Sequence, residues 1–466
     1  PAKKKHPRAG KKMIGADMVM EVLADEGVDV IFGYSGGAIP PTYDAIFKYN
    51  EGRKDKDKIR LVVPANEQGA SFMAAGYSRA SGKVGVALVT SGPGATNCVT
   101  PVRDCMADSI PMVLICGQVA RAAIGSDAFQ EAPIFNIMSA CAKHVFLVKD
   151  ETQLEQTVRS AFDIARSGRP GPVVIDIPKD VQTWEGIFKG EGLLEFRGFD
   201  SRKQKREKAA LSDHEMERFI GMLQKSNRPL IYAGGGCIQS VTGSKELTRF
   251  SRTFGIPVVT TLMGIGCYDT TDPQSLHMLG MHGTAYANYA VEDCDFLIAV
   301  GARFDDRVAG KVAEFAPNVK NIAHIDIDAA EIGKVKVPTW SFVGDVGRAL
   351  KQLTDYGKGS FKKSFDTWIK HVQKMKKDHA LNYNRKSPHI QPEEVIEILN
   401  DLTKGEAIIS TGVGQHQMHA AQYFDFKHPR TWLTSGSMGT MGFGLPAAIG
   451  AQLACPDRIV IDVDGD

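Results

Sequence analysis

The chain has 466 residues, a length that predicts two or three domains rather than one. Its 56 Lys and Arg residues against 54 Asp and Glu residues leave a formal charge of +2, which argues against the cationic surplus of a nucleic-acid-binding protein. Hydrophobic residues make up 43% of the chain, yet no apolar run reaches the roughly 20 residues needed to span a bilayer. We therefore expect a soluble protein that binds neither nucleic acid nor membrane.

The eight cysteines are scattered along the chain, and no Cys-x-x-Cys pair occurs among them. Disulfide frameworks belong mainly to short secreted chains, and structural zinc sites need clustered ligands. We therefore expect free, buried thiols and a reducing compartment.

Short apolar runs that end in glycine or in polar residues recur through the first third of the chain. Continuous runs without alternation are typical of strands that are buried on both faces. Helix-length stretches separate the runs, so their order predicts βαβ units and a parallel sheet. The runs begin at Val28, Arg60, Gly85, Pro111 and Pro172.

Two polar segments divide this pattern. The charged segment 200–208 predicts an exposed linker, and residues 355–390 are again basic and poor in apolar residues. The pattern predicts an α/β protein of three doubly wound parallel-sheet domains, at 13–190, 211–355 and 392–466, with the third truncated. The later apolar runs begin at Pro229, Pro257, Phe296, Ile322, Ala407 and Arg458.

Glu67 follows the second predicted strand closely, at the strand end where α/β proteins bind ligands. Taken alone, a glutamate in this place more often caps a helix. Two glycine-rich turns, at 33–38 and 91–97, also follow strands and could direct backbone N–H groups towards an anion. This combination favours a ligand-binding role for Glu67.

The middle of the chain has two further turns of this kind. Gly234 begins a run of three glycines, and the segment 301–307 places two Arg and two Asp directly after a buried strand. Arg binds phosphate in a bidentate manner and Asp accepts ribose hydroxyls, which points to a nucleotide, and Asp326 adds an acceptor at the next strand end. A surface salt-bridge cluster fits the spacing equally well.

The last part of the chain has glycine-rich segments at 412–417 and 436–444. Asp464 and Asp466 flank a glycine at a strand end, which suits the presentation of a carboxylate to Mg²⁺ and a diphosphate. His416 and His419 have helical i,i+3 spacing, but no third ligand is apparent, so zinc is not expected.

Together these segments resemble acetohydroxyacid synthase, also called acetolactate synthase, a family of thiamine-diphosphate enzymes. The resemblance runs in order from about residue 13 to residue 466. Two motifs are the most specific: 127–131 and 303–307 mark the FAD-containing biosynthetic branch. The resembling segments are 34–38, 66–70, 90–97, 127–131, 280–284, 303–307, 414–418 and 439–448.

The resemblance implies an enzyme that decarboxylates pyruvate and transfers the two-carbon unit to a second 2-ketoacid, pyruvate or 2-ketobutyrate. This is the first common step of branched-chain amino-acid biosynthesis. The implied cofactors are thiamine diphosphate, Mg²⁺ and FAD. The implied assembly is a homodimer or tetramer with active sites between subunits, joined by a regulatory small subunit. The expected compartment is the cytoplasm in a bacterium and a chloroplast or mitochondrion in a eukaryote.

Two alternatives stand beside this function. One is a flavin-dependent enzyme like pyruvate oxidase, in which the flavin accepts electrons. The other is an inactive, truncated form, because the family's diphosphate motif continues beyond Asp466 to a glycine and to an Asn that also binds Mg²⁺. A chain that ends at Asp466 is expected to bind thiamine diphosphate poorly and to make no acetolactate.

Residue roles follow from the same resemblance. Glu67 would hydrogen-bond the aminopyrimidine ring of the cofactor. The domain at 13–190 would bind the pyrimidine, the domain at 211–355 would bind FAD, and the domain at 392–466 would bind the diphosphate. Tyr34, Phe129, Gln130 and Lys179 would line the catalytic site with Glu67, and Asp466 would bind Mg²⁺. The implied thiamine-diphosphate contacts are Gly37, Glu67, Val413, Gly414, Gln415, His416, Gly439 and Met441. The implied FAD contacts are Arg169, Gly235, Thr261, Leu262, Leu279, Gly280, Met281, His282, Gly301, Arg303, Asp305, Asp326, Ile327, Gly344 and Asp345.

The chain departs from the family pattern in four places. Ser35 stands where the family usually has Pro, Asn66 where it has His, and His419 where it commonly has Trp. The segment 117–122 lacks the usual Pro and second Arg, so no acceptor or inhibitor contact is assigned to it.

Overall fold

The computed structural model describes residues 6–465. Their strands form three parallel sheets and one short antiparallel pair, so the predicted α/β class with several parallel sheets is confirmed. The strands are β1 (Lys12–Ile14), β2 (Val30–Tyr34), β3 (Arg60–Val62), β4 (Gly85–Val89), β5 (Met112–Gln118), β6 (His144–Leu147), β7 (Pro172–Pro178), β8 (Glu185–Ile187), β9 (Pro229–Ala233), β10 (Val258–Thr260), β11 (Ser275–Met278), β12 (Phe296–Val300), β13 (Asn321–Asp326), β14 (Trp340–Val343), β15 (Ile408–Thr411), β16 (Trp432–Leu433) and β17 (Val460–Val463).

Helices connect the strands as βαβ units require. They are α1 (Gly15–Asp25), α2 (Pro40–Asn50), α3 (Glu67–Ser81), α4 (Pro93–Thr96), α5 (Val99–Asp108), α6 (Ile134–Ser139), α7 (Leu154–Arg166), α8 (Lys179–Thr183), α9 (Phe199–Lys208), α10 (Asp213–Lys225), α11 (Gly236–Gln239), α12 (Gly243–Phe254), α13 (Ala285–Asp293), α14 (Val346–Gly357), α15 (Asp366–Asp378), α16 (Pro392–Thr403), α17 (Gln415–Tyr423) and α18 (Gly444–Ala454). Within residues 6–465, none of these helices has both the length and the apolar character that crossing a membrane requires.

The first of two compact units contains the chain up to Phe199 together with Ser437–Pro456. Its sheet has the order β3-β2-β4-β5-β7-β6, and every neighbouring pair in it is parallel. Strands β4, β5 and β7 are buried along their whole length, as expected for strands covered by helices on both faces.

The second unit contains Asp200–Gly436 and the chain from Asp457 onwards. Its larger sheet has the order β11-β10-β9-β12-β13-β14, and its smaller sheet has the order β16-β15-β17. Aromatic rings fill the core beside the larger sheet, where Phe219 contacts Phe250, Phe296 and Trp340 at centroid separations of 5.1–6.0 Å. The three-domain boundaries stay a prediction, since the chain separates into two units.

Both polar segments contain helices. The segment expected as a linker forms most of α9, which has no buried residue, because its Lys, Arg, Glu and Gln favour a helix without providing an apolar face. The segment 355–390 contains α15, whose Trp368 and Val372 are buried. The Trp368 indole donates a hydrogen bond to the Pro229 carbonyl (2.9 Å), which attaches α15 to the start of β9.

A buried ion cluster joins α3 to α5 in the first unit. Arg79 on α3 contacts Asp104 Oδ1 (2.6 Å) and Asp108 Oδ2 (3.0 Å), and all three side chains are at most 4% exposed. Although burial alone lowers the pKa of Arg79, Asp108 and Asp104 raise it above the ordinary value. The guanidinium also lies 5.0 Å from the Phe443 ring centroid, and Asp108 Oδ1 accepts a hydrogen bond from Ser437 N (3.0 Å). The cluster therefore holds segment 437–443 against α3.

We predict that Arg79→Met lowers the free energy of unfolding by about 3–5 kcal/mol, because it leaves two buried carboxylates without a cation. The control is Lys83→Met. Lys83 pairs with Asp29 at 3.2 Å where both side chains are at least 50% exposed, so its loss should cost less than about 1 kcal/mol. Urea unfolding of both variants measures the difference. Equal losses would contradict the role of the Arg79 cluster.

Candidate functional site

Glu67 begins α3, just beyond the carboxyl end of β3. The Asn66 side chain caps this helix by accepting a hydrogen bond from Gly69 N (2.8 Å), so the Glu67 carboxylate is not needed as the cap. Asn97 Nδ2 donates to Glu67 Oε2 (2.9 Å), and Oε1 has no protein partner within the described residues. Glu67 is only 9% exposed. The site therefore presents a largely buried carboxylate with one fixed oxygen and one available oxygen.

A second group of predicted residues meets at the carboxyl edge of the same sheet. Lys179 Nζ donates to the Gly37 carbonyl (3.1 Å), and Gln130 Oε1 lies 4.0 Å from the position of a Cβ on Gly37. Tyr34 ends β2 at this edge and is 40% exposed. The structure thus brings Gly37, Gln130 and Lys179 together.

A tight loop presents Phe129 and Gln130. The carboxylate of Glu131 accepts hydrogen bonds from Gly125 N and from Ala128 N, and these donors lower the pKa of Glu131. Gln130 has a left-handed φ of 59°, a conformation that non-glycine residues adopt mainly where the surroundings enforce it. Phe129 at the tip is 88% exposed.

In the larger sheet of the second unit, the strand order reverses between β9 and β12. Open α/β sheets bind ligands in the crevice at such a point. Gly234 N donates to the Val300 carbonyl (2.9 Å) and Gly236 N to the Gly301 carbonyl (3.1 Å), so the two segments stay paired beyond their strands. A Cβ on Gly236 would lie 2.6 Å from the Gly301 Cα, so this approach requires glycine.

Nearly all predicted flavin residues lie at or beyond the carboxyl ends of the strands in this sheet. Thr261 N donates to the Ala233 carbonyl (2.9 Å), and Gly344 N donates to the Asp326 carbonyl (2.9 Å). The side chain of Asp326 lies beside this edge and the residue is 7% exposed. The residues are Gly235 after β9, Thr261 and Leu262 after β10, Leu279, Gly280, Met281 and His282 after β11, Gly301, Arg303 and Asp305 after β12, Asp326 and Ile327 at the end of β13, and Gly344 and Asp345 after β14.

Several acidic or basic residues of this set have protein partners. Asp326 Oδ1 accepts a hydrogen bond from Asp328 N (2.8 Å). Arg169 belongs to the first unit, where its guanidinium donates to Ser109 Oγ (2.9 Å). Asp345 caps α14 by accepting a hydrogen bond from Arg348 N (2.9 Å). Asp305 Oδ1 accepts a hydrogen bond from Arg307 N (3.1 Å), which stabilises the turn after β12.

The salt-bridge interpretation of segment 301–307 applies to its outer end. Arg307 Nε lies 3.9 Å from Asp306 Oδ2, and both side chains are at least 67% exposed. Arg303 is half-buried, and the neighbouring Phe304 ring packs edge-on against His324 (5.4 Å) and contacts Tyr232 (5.2 Å). The inner part of the segment is therefore fixed by packing.

The small sheet has its own reversal, because β15 pairs with β16 on one side and with β17 on the other. Gly412 follows β15 and lies so close to Asp464 that a Cβ would overlap its carboxylate. His416 Nε2, in the first turn of α17, lies 3.5 Å from Asp464 Oδ1. Burial, and secondarily Asp464, raises the pKa of Asp462 to about 6. This edge could hold an anion at the start of α17 and a cation at the carboxylates.

The other predicted thiamine-diphosphate residues are divided between the units. Val413, Gly414 and Gln415 belong to the second unit with His416, whereas Gly439 and Met441 belong to the first. Gly439 has a left-handed φ of 62°, and Met441 is 72% exposed. Asp466, the predicted Mg²⁺ ligand, lies outside the described residues. Within residues 6–465 no three His, Cys, Asp or Glu side chains are grouped to hold a metal ion.

Sequence reasoning did not assign a role to Asn97. Its only signal is its place at the end of the glycine-rich turn after β4, and its contact with Glu67 spans 30 positions of the chain. All eight cysteines are free, as expected, and six of them are buried.

Three family models match consecutive parts of the chain. They describe the N-terminal TPP binding domain of thiamine pyrophosphate enzymes at residues 13–139, the central domain at 216–353 and the C-terminal TPP binding domain at 412–466. These matches, together with the three parallel sheets, define the class as thiamine pyrophosphate enzymes.

Individual relatives narrow this class. The chain is 47% identical to the chloroplastic acetolactate synthase of Arabidopsis thaliana, 48% to acetolactate synthase 1 of Nicotiana tabacum and 47% to acetolactate synthase 1 of Zea mays, each over 455 residues. These alignments cover 97% of the chain but 66%, 66% and 69% of the relatives. The chain belongs to the acetolactate synthase family and spans about two thirds of the length of these members.

Asp176 on β7, three residues before Lys179, gives a pH-dependent prediction. It is 1% exposed, and burial raises its pKa to about 7 although Gln118 donates to Oδ2 (3.0 Å). The folded state holds this proton more strongly than the unfolded state does. The contribution of Asp176 to the free energy of unfolding is therefore greatest below about pH 4 and falls as the pH rises to 7. The expected loss is roughly 4 kcal/mol, at about 1.4 kcal/mol per pKa unit.

Asp176→Asn should remove this contribution, so the variant should gain stability relative to wild type as the pH rises from 4 to 8. Urea unfolding at several pH values measures it. Asp57→Asn, at an exposed position, is the control and should follow wild type. A constant offset between Asp176→Asn and wild type at all pH values would disprove the assignment.

Proposed function

We propose that the complete protein is an acetolactate synthase. It decarboxylates pyruvate and joins the two-carbon unit to a second pyruvate or to 2-ketobutyrate, at the start of branched-chain amino-acid biosynthesis. The observation that carries this proposal is the geometry of Glu67, which is buried and has Oε1 available while Asn97 holds Oε2. It occurs in a chain that is 47% identical to an acetolactate synthase.

Thiamine diphosphate, when bound, supplies the electron sink that decarboxylation of a 2-ketoacid needs. The residues fit this cofactor because the available Oε1 of Glu67 could accept a hydrogen bond from a protonated ring nitrogen. Asn97 fixes the carboxylate rotamer, so Glu67 would hold or accept that proton at Oε1 without reorganising. Low exposure of Glu67 strengthens such a hydrogen bond by excluding water.

Lys179, Gln130 and Phe129 would form the substrate entrance. The Lys179 ammonium donates to a backbone carbonyl, and no carboxylate lies within ion-pair distance of it among residues 6–465, so it could attract the carboxylate of a 2-ketoacid. Gln130 supplies amide donors and acceptors beside it, and the exposed Phe129 ring could close over an apolar acyl chain. Tyr34 at the end of β2 would complete this wall.

The small sheet would hold the diphosphate and Mg²⁺. The N–H groups at the start of α17, from Gly414 to His416, suit a diphosphate. The carboxylate groups at the end of β17 suit Mg²⁺, because this ion prefers carboxylate oxygens as ligands. Asp466 would be one of these ligands. Gly439 and Met441 would contact the thiamine moiety.

FAD would occupy the crevice between β9 and β12. The absence of side chains at Gly236 and Gly301 would leave room for a pyrophosphate beside them. Asp326 at the end of β13 would accept ribose hydroxyls through Oδ2, since its Oδ1 accepts a hydrogen bond from Asp328 N. Arg303 would pair with a phosphate. Because acetolactate formation needs no electron acceptor, anaerobic turnover of pyruvate would separate this function from that of a flavin-dependent pyruvate oxidase.

We further propose a homodimer or tetramer with active sites between subunits, and a regulatory small subunit. The 72% exposure of the apolar Met441 supports a site that association covers. The chloroplastic names of the relatives support an organelle as the compartment in a eukaryote, whereas a bacterial enzyme would be cytoplasmic.

Glu67→Gln should lower kcat in the complete gene product by about 10²–10⁴-fold, because the amide cannot take up the ring proton. Thermal stability and flavin content should stay near wild type, since Asn97 can still bond the side chain. Glu51→Gln, the same change at an exposed position after α2, should leave kcat unchanged. Turnover of Glu67→Gln close to that of wild type would refute the role of Glu67.

Arg303→Ala should release FAD and lower the melting temperature, because a ligand bound only to the folded state stabilises it by mass action. Flavin absorbance that co-elutes with the protein in gel filtration measures retention. Arg218→Ala, at an exposed arginine of the same unit, is the control. Full flavin retention by Arg303→Ala would show that the nucleotide binds elsewhere.

A further inference from the structure

A cavity of about 550 Å³ lies in the second unit, and no residue that lines it belongs to the proposed cofactor or substrate sites. Its walls come from β11, α13, α15, α16 and α17 and from the turns beside them. The volume falls in the range of about 300–1,000 Å³ that is typical of small-molecule sites. The cavity is a shallow groove that is largely open to solvent, so a ligand could enter without rearrangement of the fold.

The cavity has a cationic wall, formed by two consecutive lysines near the end of α15. Lys376 is half-buried, and its ammonium donates to the Ser275 carbonyl (2.9 Å). Burial lowers the pKa of Lys376, and the more distant carboxylates of Asp425 and Asp272 offset part of this effect. Among the described residues, no carboxylate lies within ion-pair distance of its ammonium. A partly dehydrated ammonium that no carboxylate contacts favours the binding of an anion. Lys377 is exposed beside it and adds a second positive charge.

The one carboxylate that lines the cavity is already neutralised. Both oxygens of Glu397 pair with the Arg385 guanidinium (2.6 and 2.7 Å), and Tyr383 donates a further hydrogen bond (2.6 Å). Glu397 is therefore not available to Lys376 or Lys377. Asp425 and Asp272 act on Lys376 from a longer distance and do not line the cavity, so the unpaired charge at its wall is positive.

The cavity also has an aromatic part. Tyr286 and Tyr423 both line the cavity. His277 beside them is engaged through both ring nitrogens, with Tyr286 Oη (2.6 Å) and with the Thr270 carbonyl (3.0 Å). Burial lowers the pKa of His277 to about 4, so the ring is neutral at physiological pH. The half-buried Tyr423 thus provides surface for a flat apolar group, while Tyr286 is 2% exposed and supports the wall from behind, and neither adds charge.

The backbone at His277 is also unusual. His277 lies in β11 with a left-handed φ of 61°, which non-glycine residues adopt mainly at turns, ligand clamps and active sites. The two hydrogen bonds of the His277 ring, to Tyr286 and to the Thr270 carbonyl, fix its position in the wall of the cavity.

We propose that this cavity is a binding site for a small organic anion, whose carboxylate or phosphate contacts Lys376 and Lys377 and whose planar body packs against Tyr423. The site is independent of the proposed cofactor sites, because none of its residues belongs to them. It would therefore persist whether or not the enzyme binds thiamine diphosphate or FAD.

The test uses three probes with one planar body: 2-naphthoate, 2-naphthyl phosphate and the neutral 2-naphthalenemethanol. Calorimetric titration of the full chain should show saturable binding of at least one anion, about tenfold or more tighter than the alcohol. The tighter anion identifies whether a carboxylate or a phosphate is preferred. Lys376→Met should weaken anion binding about tenfold, and Lys376→Arg should retain it.

The matched control is Lys374→Met, because Lys374 is exposed on the same helix and does not line the cavity. It should leave the affinity for the anion unchanged. If Lys376→Met does not fold by circular dichroism, Lys377→Met replaces it with the same expectation. The proposal is overturned if the alcohol binds as tightly as the anions, if no probe binds saturably, or if Lys374→Met weakens binding as much as Lys376→Met.

Discussion

Parallel pairing is the constraint on which the functional sites of this chain depend. It places the carboxyl ends of all strands in a sheet at one edge, and the reversal of strand order opens a crevice there. At β9 and β12 the pairing continues beyond the strands, since Gly236 N donates to the Gly301 carbonyl (3.1 Å). Side chains are excluded where the two backbones meet, so the space beside them stays open. Residues separated by more than a hundred positions reach one edge for this reason alone.

Glu67 shows how a carboxylate can be buried and still remain available. The start of a helix attracts acidic side chains, and an uncapped α3 would engage Glu67 with its own N–H groups. Asn66 prevents this by capping the helix itself, a task for which Asn is well suited. The position where the family usually has His therefore has a structural role in this chain. Asn97 then holds Oε2, so rotation of the carboxylate is restricted while Oε1 stays accessible.

The sequence predicts the long apolar strands well, because β4, β5, β7 and β12 are buried on both faces and lack alternation. It does not predict β14, where buried and exposed residues alternate over four positions, or β16, which has two residues. The family motifs bring most flavin residues to one edge, yet the partners of Glu67 and Arg79 depend on long-range packing. No local pattern shows that Ser437–Pro456 joins the first unit, since contacts such as that of Phe443 with Arg79 determine it.

The buried charged side chains form two groups. They differ in how fully hydrogen bonds and opposite charges of the protein itself compensate each charge. Asp295 accepts hydrogen bonds from Ser226 Oγ (2.5 Å) and from two backbone N–H groups, which is the pattern of a structural carboxylate. Arg79 likewise has two carboxylates around it. Glu67 and Lys376 differ, because each hydrogen-bonds a polar group while no opposite charge contacts it among the described residues. Asp425 and Asp272 act on Lys376 only from a longer distance. Burial without a counter-charge is unfavourable for the free protein, and a ligand that supplies the missing partner recovers that free energy on binding. Incomplete compensation therefore fits a ligand-facing role for Glu67 and Lys376. Asp176 also has no counter-charge, but it is relieved by taking up a proton, since burial raises its pKa to about 7.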